Sequence, residues 1–122
     1  MIQQGQGGRI LSLGGDSSRV GEANLSMAAA SRAATIALIK SLAKEFGRND
    51  ITCNMVTLGM IQSAHSDPAW LAENLPKMVK NYPLKRIGQP SDVAPMIAFL
   101  ASDAASWITG QTISINGGFS MV

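Results

Sequence analysis

A single cysteine, a single histidine and a single tyrosine stand among 122 residues, and aromatic side chains make up only 5% of the chain. One cysteine cannot close an internal disulfide, so no disulfide framework supports the fold, and a reducing compartment is expected. Cys53 lies in the strand-like run Ile51-Thr-Cys-Asn54 with no helix start or cation nearby, which predicts a buried structural thiol rather than a nucleophile. His65 sits between Ala64 and Ser66 in a loop-like stretch and reads as solvated. With no Cys, His or carboxylate cluster at ligand spacing, no metal site is predicted. Apolar runs are short of the roughly 18 residues of a membrane span, and Met1-Ile-Gln-Gln4 lacks the basic and apolar regions of a signal peptide. A cytoplasmic protein without a membrane partner is expected. Charge is also sparse: ten Lys and Arg against eight Asp and Glu leave a net charge of +2. Their interleaving describes a solvated surface and excludes a nucleic-acid face.

What is present is hydrophobic patterning that switches period. Arg9-Ile-Leu-Ser-Leu13 reads as a strand closed by the Gly14-Gly15 turn signal. From Asn24 to Gly47 the chain is Ala-rich, with Ile36, Leu38, Ile39, Leu42, Ala43 and Phe46 at helical spacing. A second strand is predicted over 51–57, broken by Leu58-Gly59. Asp67-Pro68 is an N-cap followed by proline at the first helical position, opening a helix that Pro76 must kink or end. Gln89-Pro90 opens another through about Ser102, with Pro95 deep enough to cost a hydrogen bond. Thr112-Ile-Ser-Ile115 is the last strand. Strands alternating with helices indicate parallel β-α-β units, and no repeat or linker divides the chain.

Gly8-Arg-Ile-Leu-Ser-Leu-Gly14, Ala30-Ser-Arg-Ala-Ala34, Ser41-Leu-Ala-Lys-Glu45, Arg86-Ile-Gly-Gln-Pro-Ser-Asp-Val-Ala94 and Ile108-Thr-Gly-Gln-Thr-Ile-Ser-Ile-Asn-Gly-Gly118 occur in this order. Together they resemble the short-chain dehydrogenase/reductases, in particular the 3-oxoacyl-carrier-protein reductase type. The resemblance implies an α/β fold: the C-terminal half of a Rossmann-like doubly wound parallel sheet, about three strands with flanking helices. Residues 1–122 then form a single partial domain lacking the N-terminal dinucleotide-binding half. No Gly-x-x-x-Gly-x-Gly run of the kind that receives a pyrophosphate at a helix start precedes Gly8.

Aligned without gaps through Gly14 and Gly21, the family's catalytic serine falls on Gly15, its tyrosine on Ala28 and its lysine on Arg32. An alanine methyl has no proton to give to a carbonyl oxygen, and a guanidinium is permanently charged. Halohydrin dehalogenases resemble this family and use arginine at the lysine position, but they keep the tyrosine. Arg32 is therefore expected to cap a polar surface or pair with a carboxylate, and Ser17 and Ser18 to be loop residues. Tyr82, far from Arg32 in sequence, is not expected to replace the lost tyrosine. The family's cofactor loop corresponds to Leu58-Gly-Met-Ile-Gln-Ser63, which implies vestigial cofactor contacts at Gly59, Ile61 and Ser63, with Gly59 a turn residue.

The reading that results is a truncated, catalytically silent relative of the reductases, binding no cofactor by itself. Two alternatives stand beside it. One is half of a split oxidoreductase, completed by a separate N-terminal-half chain and then using NAD or NADP. The other is a small-molecule binding module that keeps the loop 63–83. Homo-oligomers are expected through the helix 24–47 and the open edge of the strand 9–13.

Overall fold

The computed structural model describes residues 1–122. Three parallel strands form one sheet in the order β1-β2-β3: β1 Gly8–Gly15, β2 Ile51–Leu58 and β3 Thr112–Ile115. Between β1 and β2 come the single-turn helix α1 (Ser17–Val20) and the long α2 (Ser26–Phe46), and between β2 and β3 come α3 (Pro68–Met78) and α4 (Pro90–Ala101). Gly8 pairs with Ile51 and the register runs on to Gly15 opposite Leu58, while Leu58 also lies opposite Ile115. The three strands therefore end together, and the chain leaves each of them at one edge of the sheet.

The central strand decides the packing. All of β2 up to Thr57 is buried, and alternate side chains go to opposite faces. Ile51, Cys53 and Met55 pack with Ile39 and Ala43 of α2, flanked by Ile36, Leu42 and Phe46. On the other face Val56 packs with Leu100 of α4 and Ala105, with Met96, Ile97 and Ile108 against them. Cys53 is fully buried and its thiol is pushed above its ordinary pKa by burial, so it serves as a small core side chain. Leu38, counted above on the apolar stripe of α2, instead points outward and is 54% exposed. The stripe facing the sheet is the narrower set at 36, 39, 42, 43 and 46.

Several boundaries move for identifiable reasons. β1 extends to Gly8 and Gly15 because pairing with β2 needs only backbone. α2 begins at Ser26, since Asn24 takes a left-handed φ of 67° that no helix accepts. Asp67 caps α3 as its sequence implies, accepting from the Ala69 amide at 2.9 Å. Pro76 is tolerated near the C-terminus of α3, which ends two residues later. At the start of α4, Asp92 accepts from the Gln89 amide at 2.7 Å and takes both Arg86 nitrogens at 2.6 and 2.8 Å. That fork explains why Arg86, Gln89, Pro90 and Asp92 occur together: a rigid first turn capped and neutralised at once.

Folding buries less than the length leads one to expect. The surface is 7781 Å², whereas a compact chain of this mass exposes about 6,300 Å². Against an unfolded chain of about 18,600 Å², roughly 58% is removed rather than two thirds. The open surface includes one side of β1 and the outer side of α2. β1 pairs on one side only, leaving Leu13 56% exposed, and on the outer side of α2 Met27 is 84% exposed. No helix is long and apolar enough to cross a membrane.

Candidate functional site

The edge where the three strands end is the place where open α/β sheets bind ligands. Here it opens into a cleft of about 580 Å³. It is lined by Gly14–Ser17, where β1 passes into α1, and by Leu58–Ile61 at the end of β2, with Tyr82 and Phe119 beside them. The rim is formed by Glu22, Leu25 and Arg32 on one side and Lys77, Met78 and Asn81 on the other.

Gly15 and Arg32 meet in this cleft. A Cβ built on Gly15 would stand 2.8 Å from Nη1 of Arg32. A serine at position 15 would therefore require the tip of the exposed Arg32 side chain to swing aside. Of the two roles its sequence suggested, Arg32 does not take that of pairing with a carboxylate, and it remains exposed. Its Nη1 donates to the Ser17 hydroxyl at 3.4 Å, and the ion pairs of the molecule are Arg9 with Asp103 and Arg86 with Asp92. Ala28 is half-buried on α2, one turn before Arg32, and offers only a methyl group.

Of the loop residues, Gly59 and Ile61 line the cleft. Ser63 does not: its hydroxyl meets Ser66 at 3.3 Å and accepts from the His65 amide, closing a local exposed turn. Gly59 is required by close approach rather than by a turn, because a Cβ there would come within 2.9 Å of Asn116 Cα. Tyr82, remote in sequence, is brought to the cleft wall. It is 6% exposed, stacks on Phe119 with centroids 5.1 Å apart, and accepts from the Met60 amide at 2.9 Å. Its ring is held as a wall. His65 is exposed, and no three His, Cys, Asp or Glu side chains gather at metal-binding distance.

The best-organised group in the cleft is one that sequence reasoning passed over. Asp16 is 2% exposed. It accepts from Ser114 at 2.9 Å, from Ser120 at 2.8 Å and from Asn116. Thr57 and Arg19 extend the network through Ser114, at 2.9 and 2.7 Å. Burial alone would raise the carboxyl pKa, but hydrogen bonding from Thr57, Asn116, Ser120 and Ser114 outweighs it and holds the group below its ordinary 3.8. Asp16 therefore ties the end of β1 to β3 and the C-terminal segment. The only local sign in the sequence was a carboxylate directly after a Gly-Gly pair, and nothing in the chain's order brings residue 16 to residues 114–120.

The Gly14-Gly15 turn in this cleft leads into the single-turn α1 with the Asp16 carboxylate at its start, which disfavours a phosphate there.

Comparison with known proteins agrees with this architecture. Residues 1–120 match the family model described as enoyl-(acyl carrier protein) reductase. The chain is 42% identical over 124 residues to the 3-oxoacyl-[acyl-carrier-protein] reductase FabG of Rickettsia felis, covering 99% of this chain and 50% of that protein. It is 36% identical over 118 residues to an NADPH-dependent aldehyde reductase-like protein, chloroplastic, of Arabidopsis thaliana, covering 97% and 44%. Among solved structures, acetoin dehydrogenase YohF from Salmonella typhimurium superposes with a TM-score of 0.81 at 31% identity, over 97% of this chain and 45% of that one. A short-chain dehydrogenase/reductase of the glucose/ribitol dehydrogenase type from Brucella melitensis gives 0.83 at 32% identity, over 93% and 46%. The chain thus spans about half the length of the curated relatives it matches.

Proposed function

The chain belongs to the short-chain dehydrogenase/reductase family, and we propose that by itself it is a catalytically silent member, an oxidoreductase scaffold without oxidoreductase activity. The observation that carries this reading is the guanidinium of Arg32 standing 2.8 Å from where a Gly15 side chain would begin. A guanidinium stands where the family's serine side chain would project, and Ala28 supplies no acid beside it. A general acid commonly contributes about 10²- to 10⁴-fold, and here the donor, its activating lysine and the dinucleotide grip are absent together. Stopped assays with excess NADH or NADPH across ketone, 3-oxoacyl and alcohol panels should match buffer. Turnover that survives repurification and disappears on changing Arg32 or Tyr82 would refute the proposal.

A second reading is favoured by the unpaired edge of β1 and by an apolar groove of about 520 Å³ along α4, walled by Val93, Ala94, Ile97 and Ala98. Both are surfaces that another layer would cover. On this reading the chain is one half of a split NAD(P)-dependent oxidoreductase of carbonyl or 3-oxoacyl reductase type, completed by a chain with a glycine-rich dinucleotide turn. Co-purification of such a chain supports it, and full recovery of this chain alone from its native source counts against it. In either case the chain is proposed to self-associate through α2 and the β1 edge. A cytoplasmic location is proposed from the lone cysteine, which can close no internal disulfide.

A further inference from the structure

We propose that the cleft is a binding site for a small organic monocarboxylate with an apolar body, received by the Arg32 guanidinium beside the Ser17 hydroxyl. The case begins with an unused fork. A guanidinium carries five N–H donors in a plane that matches a carboxylate two-to-two. In Arg32 the one side-chain bond is a long one, 3.4 Å, to Ser17. The protein's own anions do not compete for the rest. Asp16 is turned inward and its oxygens are taken by Ser114, Asn116 and Ser120. Glu22 is on the rim, exposed and without an ion pair.

Room and walls complete the site. About 580 Å³ lies inside the usual range of small-molecule pockets, roughly 300–1,000 Å³. Leu25, Ile61, Met78 and Phe119 line it, so an apolar body would be desolvated while its charged end meets the fork. Gly15 is what allows the arrangement, since any side chain there displaces Nη1. Charge selects the class of anion. Arg32 and Lys77 line the cleft with Glu22, while the Asp16 carboxylate is 2% exposed and held by Ser114, Asn116 and Ser120; two cations against one accessible carboxylate suit one added negative charge better than a phosphate dianion. This inference does not rest on catalytic silence, because binding is read without turnover.

The probe is sodium hexanoate, titrated into the isotopically labelled 122-residue chain at low salt and followed by amide chemical shifts, with hexanamide and inorganic phosphate as parallel titrants. Saturable shifts at Gly15, Asp16, Ser17 and Arg32 are expected with hexanoate. Loss of one charge-assisted pair corresponds to about tenfold or more, so hexanamide and phosphate should each bind at least about tenfold more weakly. Arg32→Gln should erase the preference for hexanoate over hexanamide. Glu22→Gln, which removes a repelling charge, should tighten hexanoate about two- to threefold. Arg32 is exposed, so its variant is expected to fold, and the comparison of hexanoate with hexanamide uses the unaltered chain in any case. Equal binding of hexanoate and hexanamide, unchanged hexanoate binding in Arg32→Gln, phosphate binding as tight as hexanoate, or no saturable shift would each overturn the proposal.

Discussion

At the scale of residues, the cleft depends on a carboxylate that does no chemistry. Truncating Asp16 would leave the Ser114 and Ser120 hydroxyls and the Asn116 amide facing one another around a hole. Ser114 would keep Thr57 and Asn116 would keep Ser120, so losing the paired charge costs on the order of 1–3 kcal/mol. We predict a loss of that size for Asp16→Ala in urea unfolding, with faster hydrogen exchange over residues 116–120; a change under about 0.5 kcal/mol would show the network to be incidental. The pH dependence has a fixed sign. The folded pKa lies below the ordinary 3.8, so the contribution is full above that value and is lost as the pH falls below it. Arg32 and Gly15 show what a sequence can and cannot display at this scale. That the three positions the family resemblance marks as catalytic carry Gly15, Ala28 and Arg32 was legible in the sequence. That the Arg32 guanidinium lies within 2.8 Å of where a side chain at position 15 would begin required the fold, because residues 15 and 32 meet only when α2 lies across the end of β1.

At the scale of elements, period and punctuation carried most of what was foreseeable. The three strands, the long helix and the capped starts of α3 and α4 follow from alternation, threefold and fourfold spacing, and Asp-Pro or Gln-Pro signals. Elements that rely on backbone alone were not legible. The ends of β1 are glycines, which carry no pattern, and α1 is a single turn. The Arg86–Asp92 cap makes the start of α4 acid-sensitive. Its hydrogen bonds to Arg86, then the Gln89 amide, hold the Asp92 carboxyl at about 2 rather than 3.8. The folded pKa is depressed, so the cap is intact above pH 3.8 and is lost as the pH falls towards 2. Asp92→Asn should therefore flatten that limb of the acid-unfolding curve and speed amide exchange in the first turn of α4 at neutral pH. Identical acid limbs in variant and parent would remove Asp92 from the account.

At the scale of the whole molecule, the excess surface becomes a prediction about association. Roughly 1,500 Å² more is exposed than a compact chain of this mass shows, and a stable interface takes about 800 Å² from each partner. Met27, Ala30, Ala34 and Leu38 run along the outer face of α2, all exposed, and β1 offers an unpaired edge of the kind that recruits another strand. Light scattering after size exclusion should show a dimer or tetramer at micromolar concentration; a folded, dilution-independent monomer would mean these faces are stable in water. The central claim is that the chain keeps the scaffold of its family without the groups that hold or reduce a dinucleotide. Three restored side chains cannot by themselves position a hydride donor at near-attack distance. The most direct test is titration calorimetry of NADH and NADPH into the chain and into Gly15→Ser/Ala28→Tyr/Arg32→Lys. Binding weaker than about millimolar, above −4 kcal/mol, is predicted for both proteins. Micromolar binding by the triple variant would contradict the account, because it would show that these 122 residues are a sufficient cofactor site.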